Sequence, residues 1–434
     1  MGGNKFGRDL NKAGGGAGPR QSPTLPAKRK RRFWIYLAAA GPGLIAANAG
    51  NDAGGIATYA SAGSQFGYRA LFFMVLVTVG LVVVQEMSSR LGVFSGKGLA
   101  ALIREEFSVR LTAVAMTALM ASNVGLVVSE FAGIGAALQL FGVSRYISIP
   151  IAAVIIWGLV LFGSYRYAER IFLILSLGFL AYPVAAILGH PDWHKVISQT
   201  VLPHFVASNS FIFLGVALIG TTISPYMQLY AAAGVVDRGI SPEEYPLERA
   251  DTVAGAIFAD IISMFIIIAT AAAIGGTGPL SSAKQAALAL RPVAGSQAVT
   301  LFALGLLGAS ALAGAVVPLS TSYAVAEALG VERSISRKFR QAPLFLGMFS
   351  AQVFVGAAVA LLPINLITLL IFTQVLQGFL TPIILTFITV LANRRSVLGD
   401  AVNGRIFRKV AAVSVALVAG LSFVLLIQTI IGWF

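Results

Sequence analysis

The sequence contains no cysteine, and its 434 residues include only 17 acidic side chains and three histidines. Disulfides, thiolate metal ligands and thiol nucleophiles are therefore excluded. Charged residues make up 11% of the chain, whereas an ordinary soluble protein carries about 25%. Such a low charge content excludes a typical soluble enzyme, and a hydrophobic share of 57% excludes disorder for most of the chain. The composition is that of a polytopic membrane protein.

The apolar residues lie in eleven long runs, each long enough to cross a bilayer as a helix. They are centred on residues 35–63, 69–91, 112–140, 146–163, 169–189, 208–233, 251–275, 296–323, 342–362, 366–391 and 410–431. These runs are apolar throughout, whereas the strands of a membrane barrel alternate apolar and polar residues. The sequence therefore predicts an all-α fold with eleven spans.

The basic residues predict the orientation of these spans. With the N-terminus inside, 26 of the 31 Lys and Arg fall in the N-terminal tail and the cytoplasmic loops, as the positive-inside rule requires. The C-terminus is then outside. Residues 1–32 are predicted to be a disordered cytoplasmic tail before a membrane domain at 33–434, and they have no apolar signal-peptide core. The run Lys28–Arg32 could also bind lipid or nucleic acid, but its cytoplasmic position explains the charge without nucleic acid.

Two of the spans carry helix-breaking residues at membrane depth. Span one contains a Gly-Pro-Gly at 41–43 and the glycine-rich stretch 48–55, and span six contains Pro225 within 220–228. Each backbone group that loses its hydrogen-bond partner in hydrocarbon costs several kcal/mol, unless it lines a cavity or binds a ligand. We expect breaks at Gly54 and Pro225. Breaks five spans apart predict an inverted-repeat transporter, 5+5 helices plus an eleventh, although simple kinks are the alternative.

Four acidic residues inside the predicted spans are candidates for a function, because each costs at least about 2.5 kcal/mol to bury. Asp52 lies among small residues with no basic neighbour in sequence, so we expect a cation as its partner. Glu86 precedes Arg90 by four residues, which favours an ordinary helix ion pair over a role in ion exit. Glu130 could be a proton site or a packed polar contact, and Asp260 is unassigned.

The three histidines, His190, His194 and His204, lie in one predicted external loop beside a tryptophan. This arrangement favours an amphipathic loop at the membrane surface over a zinc site. The sequence has no HExxH, GxSxG or P-loop motif. It therefore predicts neither an enzyme nor a bound cofactor.

Three stretches of the sequence resemble the Nramp divalent-metal transporters. Residues 84–97 (VQEMSSRLGVFSGK) resemble the family signature at the end of helix 2, residues 301–308 (LFALGLLG) its helix 8, and residues 373–376 (TQVL) its helix 10. The resemblance extends over nearly the whole hydrophobic region. It implies a LeuT-type fold and transport of divalent metal ions.

The sequence departs from that family at the expected metal site. The family's helix 1 carries Asp-Pro-Gly-Asn, in which Asp and Asn bind the metal, whereas this chain has Asp52 and ends the motif with Gly55. The family's helix 6 supplies a methionine thioether followed by Pro-His, whereas this chain has Ser224, Pro225 and Tyr226. The acid is retained, but the amide, the soft ligand and the histidine are lost.

The resemblance implies further ligands and a changed proton route. Thr221 occupies the position where a family alanine offers its carbonyl, Ala49 can offer another carbonyl, and Gln374 matches a glutamine near the ion. The family often has an Asp and a Glu three residues apart on a proton route in helix 3. Here those positions are Glu130 and Gly133, so the resemblance puts proton coupling in doubt.

These changes favour a hard cation. A thioether selects soft or borderline ions, whereas Mg²⁺ keeps several waters and binds one or two carboxylates. The pattern resembles the Nramp-related magnesium transporters, and it implies bacterial plasma-membrane uptake of Mg²⁺, and also Mn²⁺, without an obligate protein partner. The alternatives are a proton-coupled Mn²⁺ or Fe²⁺ transporter, an organic-solute permease on the same fold, and a cation channel.

Overall fold

The computed structural model describes residues 52–162, 171–172, 174–175, 177–204, 206, 208–331 and 342–431, and it is helical wherever these ranges have regular structure. The predicted tail at 1–32, the first half of span one and Ala49 lie outside the described residues. The prediction that the tail is disordered therefore stays a prediction.

Twelve helices, α1 to α12 in chain order, correspond to the predicted spans. They are α1 Ala53–Phe66, α2 Ala70–Ser95, α3 Val109–Gln139, α4 Arg145–Leu161, α5 Leu177–Leu188, α6 Asn209–Thr222, α7 Pro225–Asp237, α8 Tyr245–Ile274, α9 Ala298–Leu329, α10 Pro343–Ala360, α11 Leu366–Ala392 and α12 Arg405–Ile431. Each predicted span overlaps at least one helix, and α6 and α7 together form span six. Short helices, among them Leu99–Glu106 and Trp193–Val201, lie between the spans.

Most of these helices are long and apolar enough to cross a membrane. Eight helical segments of the described chain meet that standard, with Ala53–Ser95 taken as one segment. The outer faces are apolar as well: on α4, Ile151, Val154 and Ile155 are each more than half exposed. A helix that is apolar on its core face and on its outer face is typical of a lipid environment. The prediction of an all-α membrane fold is confirmed.

Span six is broken where the sequence predicts it. Helix α6 ends at Thr222, and α7 begins at Pro225 after the two non-helical residues Ile223 and Ser224. Proline has no N–H to donate, and the first position of a helix is the place where that loss costs nothing. The proline is therefore well placed to start the second half-helix.

Span one differs from the prediction at Gly54. Helix α1 begins at Ala53, so that both Gly54 and Gly55 lie in its first turn and not in unwound backbone. The reason is a cap: the Asp52 carboxylate accepts a hydrogen bond of 2.6 Å from the Gly55 N–H. This cap satisfies a donor that the first turn otherwise leaves free. The break assigned to Gly54 is therefore wrong, and the residues before Asp52 are not described.

The packing of the helices follows the pairing that two inverted repeats require. Helix α1, from the first repeat, packs along α8, and α7, from the second repeat, packs along α2. Helix α3 is central and contacts α9, α10 and α11. These contacts place the start of α1 and the break between α6 and α7 beside α11 and α3, in the interior of the bundle.

Candidate metal-ion site

Asp52, at the start of α1, and Thr221, in the last turn of α6, meet at Gly55. Asp52 is 3% exposed and Thr221 is 1% exposed. A Cβ built on Gly55 would lie 2.7 Å from Thr221 Oγ1 and 3.1 Å from Asp52 Oδ1. The carboxylate and the hydroxyl therefore occupy the space beside Gly55, and the missing side chain leaves no open cavity there. Glycine is needed here because any side chain would intrude between these two oxygens.

Gly54 has no side chain, and the same turn of α1 therefore packs closely against α11 and α3. A Cβ on Gly54 would collide with the side-chain amide of Gln374 on α11, and it would lie 2.6 Å from Ser129 Oγ on α3. The first turn of α1 therefore touches α3, α6 and α11 through positions without side chains. Helix packing of this closeness is typical of small residues in membranes.

Several polar atoms of this group have no hydrogen-bond partner in the described structure. They are Thr221 Oγ1, Gln374 Nε2 and Ser129 Oγ, and all three residues are at least 99% buried. Buried polar groups in proteins are nearly always satisfied, by protein, water or ligand. Their convergence around Asp52 indicates a place that a hydrated or partly hydrated ion would complete.

Ser224 and Gln374 are linked through Gln377, a residue that the sequence argument missed. The Ser224 hydroxyl donates to Gln377 Oε1 at 2.5 Å, and Gln377 Nε2 donates to Gln374 Oε1 at 2.8 Å. Gln374 and Gln377 lie one turn apart on α11 and are both fully buried. Two glutamines at i, i+3 in a run of leucine and isoleucine were the available signal, because such spacing places both on one helix face.

Two further predicted residues lie close to this group. Tyr226 is in the first turn of α7 and 3% exposed. Glu130 on α3 is fully buried, and neither of its carboxylate oxygens has a hydrogen-bond partner among the described residues. One turn further along α3, a Cβ on Gly133 would collide with Ala53. Glu130 therefore lies on the stretch of α3 that packs against the start of α1.

Glu86 belongs to a different cluster, at the end of α2. It pairs with Arg90 at 3.2 Å and with Arg249 at 3.5 Å, and it accepts a hydrogen bond from the Tyr245 hydroxyl. The i,i+4 pair that the sequence favours is therefore present. Arg90 also donates to Asn403, which ties this cluster to the segment before α12.

The group around Asp52 has few charges. Within the described ranges, no set of three or more His, Asp or Glu side chains converges to hold a metal ion. The donors are one carboxylate together with hydroxyl and amide groups. A site of this kind offers oxygen ligands and only one formal negative charge, which suits a hard cation that keeps part of its water.

Comparison with known proteins identifies a family that matches this chain. The model of the natural resistance-associated macrophage protein-like (Nramp) family matches residues 43–428. Among curated relatives, the "divalent metal cation transporter MntH" of Aeromonas hydrophila is 28% identical, over 95% of this chain and all of that protein. The transporter of the same name from Klebsiella pneumoniae is 26% identical, over 92% of this chain and 96% of that protein.

Solved structures show the same fold. A manganese transporter from Eremococcus coleocola superposes with a TM-score of 0.73 at 20% identity, covering 92% of this chain and 88% of that one. A nucleobase-cation-symport-1 family transporter superposes with a TM-score of 0.52 at 15% identity, covering 88% of this chain and 89% of that one. The architecture is the LeuT type, as predicted. Because the family model extends over almost all of the membrane domain, including the Asp52 turn and the break before Pro225, this chain belongs to the Nramp family.

Proposed function

We propose that this protein is a secondary transporter for divalent cations, and that it carries partly hydrated Mg²⁺, and also Mn²⁺, by alternating access. Its curated relatives are named as divalent metal cation transporters. The observation that carries the finer proposal is the donor set, in which the single carboxylate of Asp52 is joined by the unpartnered hydroxyl of Thr221. Ser224 occupies the position where the family supplies a thioether.

The charge of the donor set and the hardness of its ligand atoms both favour Mg²⁺ in such a site. A site of hydroxyl, amide and carboxylate oxygens loses the preference of sulfur for soft and borderline metals. Mg²⁺ gives up its waters reluctantly and is held by one or two carboxylates. Asp52 would be the charged ligand, and Thr221 and Ser224 would contact the ion directly or through water. A backbone carbonyl at Ala49 remains part of the proposal.

Gln374 requires a rearrangement before it can act as an oxygen ligand. Its Oε1 accepts from Gln377, and its Nε2 is the atom without a partner. Turning both amides over reverses the direction of hydrogen bonding: Gln374 Nε2 then donates to Gln377 Oε1, and Gln377 Nε2 donates to Ser224 Oγ. We propose that the cation selects this reversed state, because an amide oxygen is attracted to a cation and an amide N–H is repelled by it.

Transport is proposed to run without obligatory proton coupling. The family position for the second helix 3 acid is Gly133, and Tyr226 stands where the family has histidine. An inside-negative potential favours cation entry by about 2.3 kcal/mol per charge for each 100 mV. The orientation proposed is an N-terminus in the cytoplasm and a C-terminus outside a bacterial plasma membrane.

A second candidate function is proton-coupled transport of Mn²⁺ or Fe²⁺. The observation that favours it is Glu130, which is fully buried and has no hydrogen-bond partner for either carboxylate oxygen among the described residues. An acid in that setting could take up a proton as the metal moves. The two functions differ in whether the inside becomes acidic during uptake.

The deciding experiment is uptake into proteoliposomes that contain a Mg²⁺-sensitive dye and, in parallel, a pH dye. We expect Mg²⁺ entry without acidification, and loss of entry in Asp52→Ala. The matched control is Asp400→Ala, because Asp400 is an exposed acid outside the membrane helices. Mn²⁺ entry with acidification and without Mg²⁺ entry would overturn the proposal and establish the proton-coupled alternative.

A further inference from the structure

A second buried carboxylate lies away from the Asp52 group, on α8. Asp260 is 2% exposed, and its Oδ2 atom has no hydrogen-bond partner in the described structure. It takes part in none of the ion pairs between described residues. An isolated carboxylate inside a membrane domain is costly unless a cation or a proton compensates its charge.

The side chains around Asp260 come from three helices and carry hydroxyl groups. The Thr78 side chain on α2 lies beside the Asp260 carboxyl, and its hydroxyl donates to the Met74 carbonyl at 2.8 Å. Ser263 lies one turn after Asp260 on α8 and close to Tyr59 of α1, and its hydroxyl donates to the Ala259 carbonyl at 3.1 Å. Tyr59 and Ser263 are 1% and 2% exposed. Three hydroxyl oxygens, a type of ligand that a small cation accepts, therefore lie in the neighbourhood of Asp260.

The other titratable groups on the elements packed against α8 are few. Among described residues they are Asp52 and Tyr59 on α1, Tyr68 and Arg69 in the connection to α2, Glu86 and Arg90 on α2, and Tyr182 on α5. Glu86 and Arg90 pair with each other beside Tyr245 and Arg249, at the start of α8 and about three turns from Asp260.

We propose that Asp260, Tyr59, Ser263 and Thr78 form a second cation site that takes one monovalent cation, Na⁺ or a proton. One carboxylate is balanced by one positive charge. The neighbouring hydroxyls of Tyr59, Thr78 and Ser263 already have hydrogen-bond partners, unlike the unpartnered groups beside Asp52 that can hold a partly hydrated divalent ion. The remaining donors are neutral hydroxyls. This site goes beyond the proposed function, which assigns no role to Asp260. The second site does not depend on which divalent ion the protein carries.

The second site is connected to the first through one hydrogen bond. The Tyr59 hydroxyl lies 3.0 Å from Thr222 Oγ1, and Thr222 is the last residue of α6, next to Thr221. Tyr59 is also one turn after Gly55 on α1. A cation at Asp260 fixes the Tyr59 hydroxyl and with it the end of α6, so that occupancy of the second site changes the affinity of the first. The cation need not move with the divalent ion.

The test is divalent uptake into proteoliposomes at a clamped membrane potential, with Mn²⁺ as the probe ion. In one series external Na⁺ is replaced by choline at constant pH, and in the other pH is varied without Na⁺. We expect one of the two series to change the half-saturating Mn²⁺ concentration at least threefold. Asp260→Asn should remove that dependence, whereas Asp251→Asn, the same change on the same helix but on a half-buried residue near its start, should keep it.

Thermal unfolding in detergent provides a second measurement that does not need transport. The cation that acts in the uptake series should raise the Tm of the wild-type protein and leave that of Asp260→Asn unchanged. If Asp260→Asn does not fold, Tyr59→Phe keeps the ring packing and should shift the half-saturating Na⁺ or proton concentration at least threefold. Wild-type uptake and Tm that respond to neither cation, or an Asp260→Asn protein that keeps the response, would overturn the second site. Loss of uptake in Asp52→Ala tests the proposed function separately.

Discussion

At the residue scale, Gly55 sets the distance between the carboxylate and the hydroxyl of the candidate site. Its Cβ position lies 2.7 Å from Thr221 Oγ1, closer than real carbon contacts allow, so Gly55→Ala should push Thr221 away from Asp52. We expect at least a tenfold loss of Mg²⁺ uptake. The control is Gly234→Ala on α7, where a Cβ meets nothing within 4 Å. That change should leave uptake intact and stabilise the fold by about 0.5–1 kcal/mol. Equal uptake in the two variants would contradict this role of Gly55.

Thr221 offers a sharper test because its hydroxyl has no partner in the described structure. Thr221→Val keeps the side-chain volume and removes no hydrogen bond of the protein, so we expect an unchanged Tm. The half-saturating Mg²⁺ concentration should rise about tenfold, which corresponds to about 1.4 kcal/mol. Thr270→Val is the matched control, since that buried hydroxyl only bonds back to its own helix at Ile266. If both variants transport like the wild-type protein, Thr221 is not a ligand.

The residues of the site could be predicted to different degrees. Asp52 can be recognised from the sequence alone, because an acidic residue among glycines inside a predicted span has few purely structural explanations. Gln377 does not stand out: a glutamine in a helix acquires a role only when a neighbour such as Ser224 is brought against it, 153 positions away in the chain. Gly54 was misjudged because glycine permits a break without requiring one, and the Asp52 cap decides in favour of helix.

At the scale of elements, the break between α6 and α7 is held to α11 by side-chain hydrogen bonds. Ser224 Oγ donates to Gln377, and the Thr381 hydroxyl lies 3.4 Å from the Ile223 carbonyl. We expect Ser224→Ala and Gln377→Leu each to reduce uptake severalfold, and the double variant to lose no more than the worse single change. A double-mutant cycle on the half-saturating Mg²⁺ concentration should give a coupling of about 1 kcal/mol. Strict additivity would mean that the two side chains act independently.

The helices themselves were predictable because the thickness of the bilayer sets the length of an apolar run that spans it. The rule gives the spans but not their interruptions, which depend on single residues. Pro225 was identified correctly since proline cannot continue a helix without losing a backbone bond. The order of packing, with α1 on α8 and α7 on α2, was not predicted, because no residue pair visible in the sequence specifies it.

At the scale of the whole molecule, the absence of cysteine allows the orientation to be measured directly. Lys195 and Lys97 are 65% and 48% exposed at the side chain, in loops predicted to be outside and inside. In intact cells a membrane-impermeant thiol reagent should label Lys195→Cys, and it should label Lys97→Cys only after permeabilisation. Surface ion pairs such as theirs contribute little to stability, so both variants should fold. The opposite labelling pattern would invert the proposed topology.

The capping bond of Asp52 has a consequence for the return half of the proposed alternating-access cycle. A carrier that has released its cargo must reorient while empty, and a bare carboxylate in its core would oppose that movement. Here the carboxylate accepts a hydrogen bond from the Gly55 N–H, 2.6 Å from Asp52 Oδ1, which partly compensates its charge. The incoming ion competes with the first turn of a helix, whose positive end repels it. The hydrogen bond that favours reorientation without cargo therefore also lowers the affinity of Asp52 for the cation. This favours fast release of the ion over tight binding.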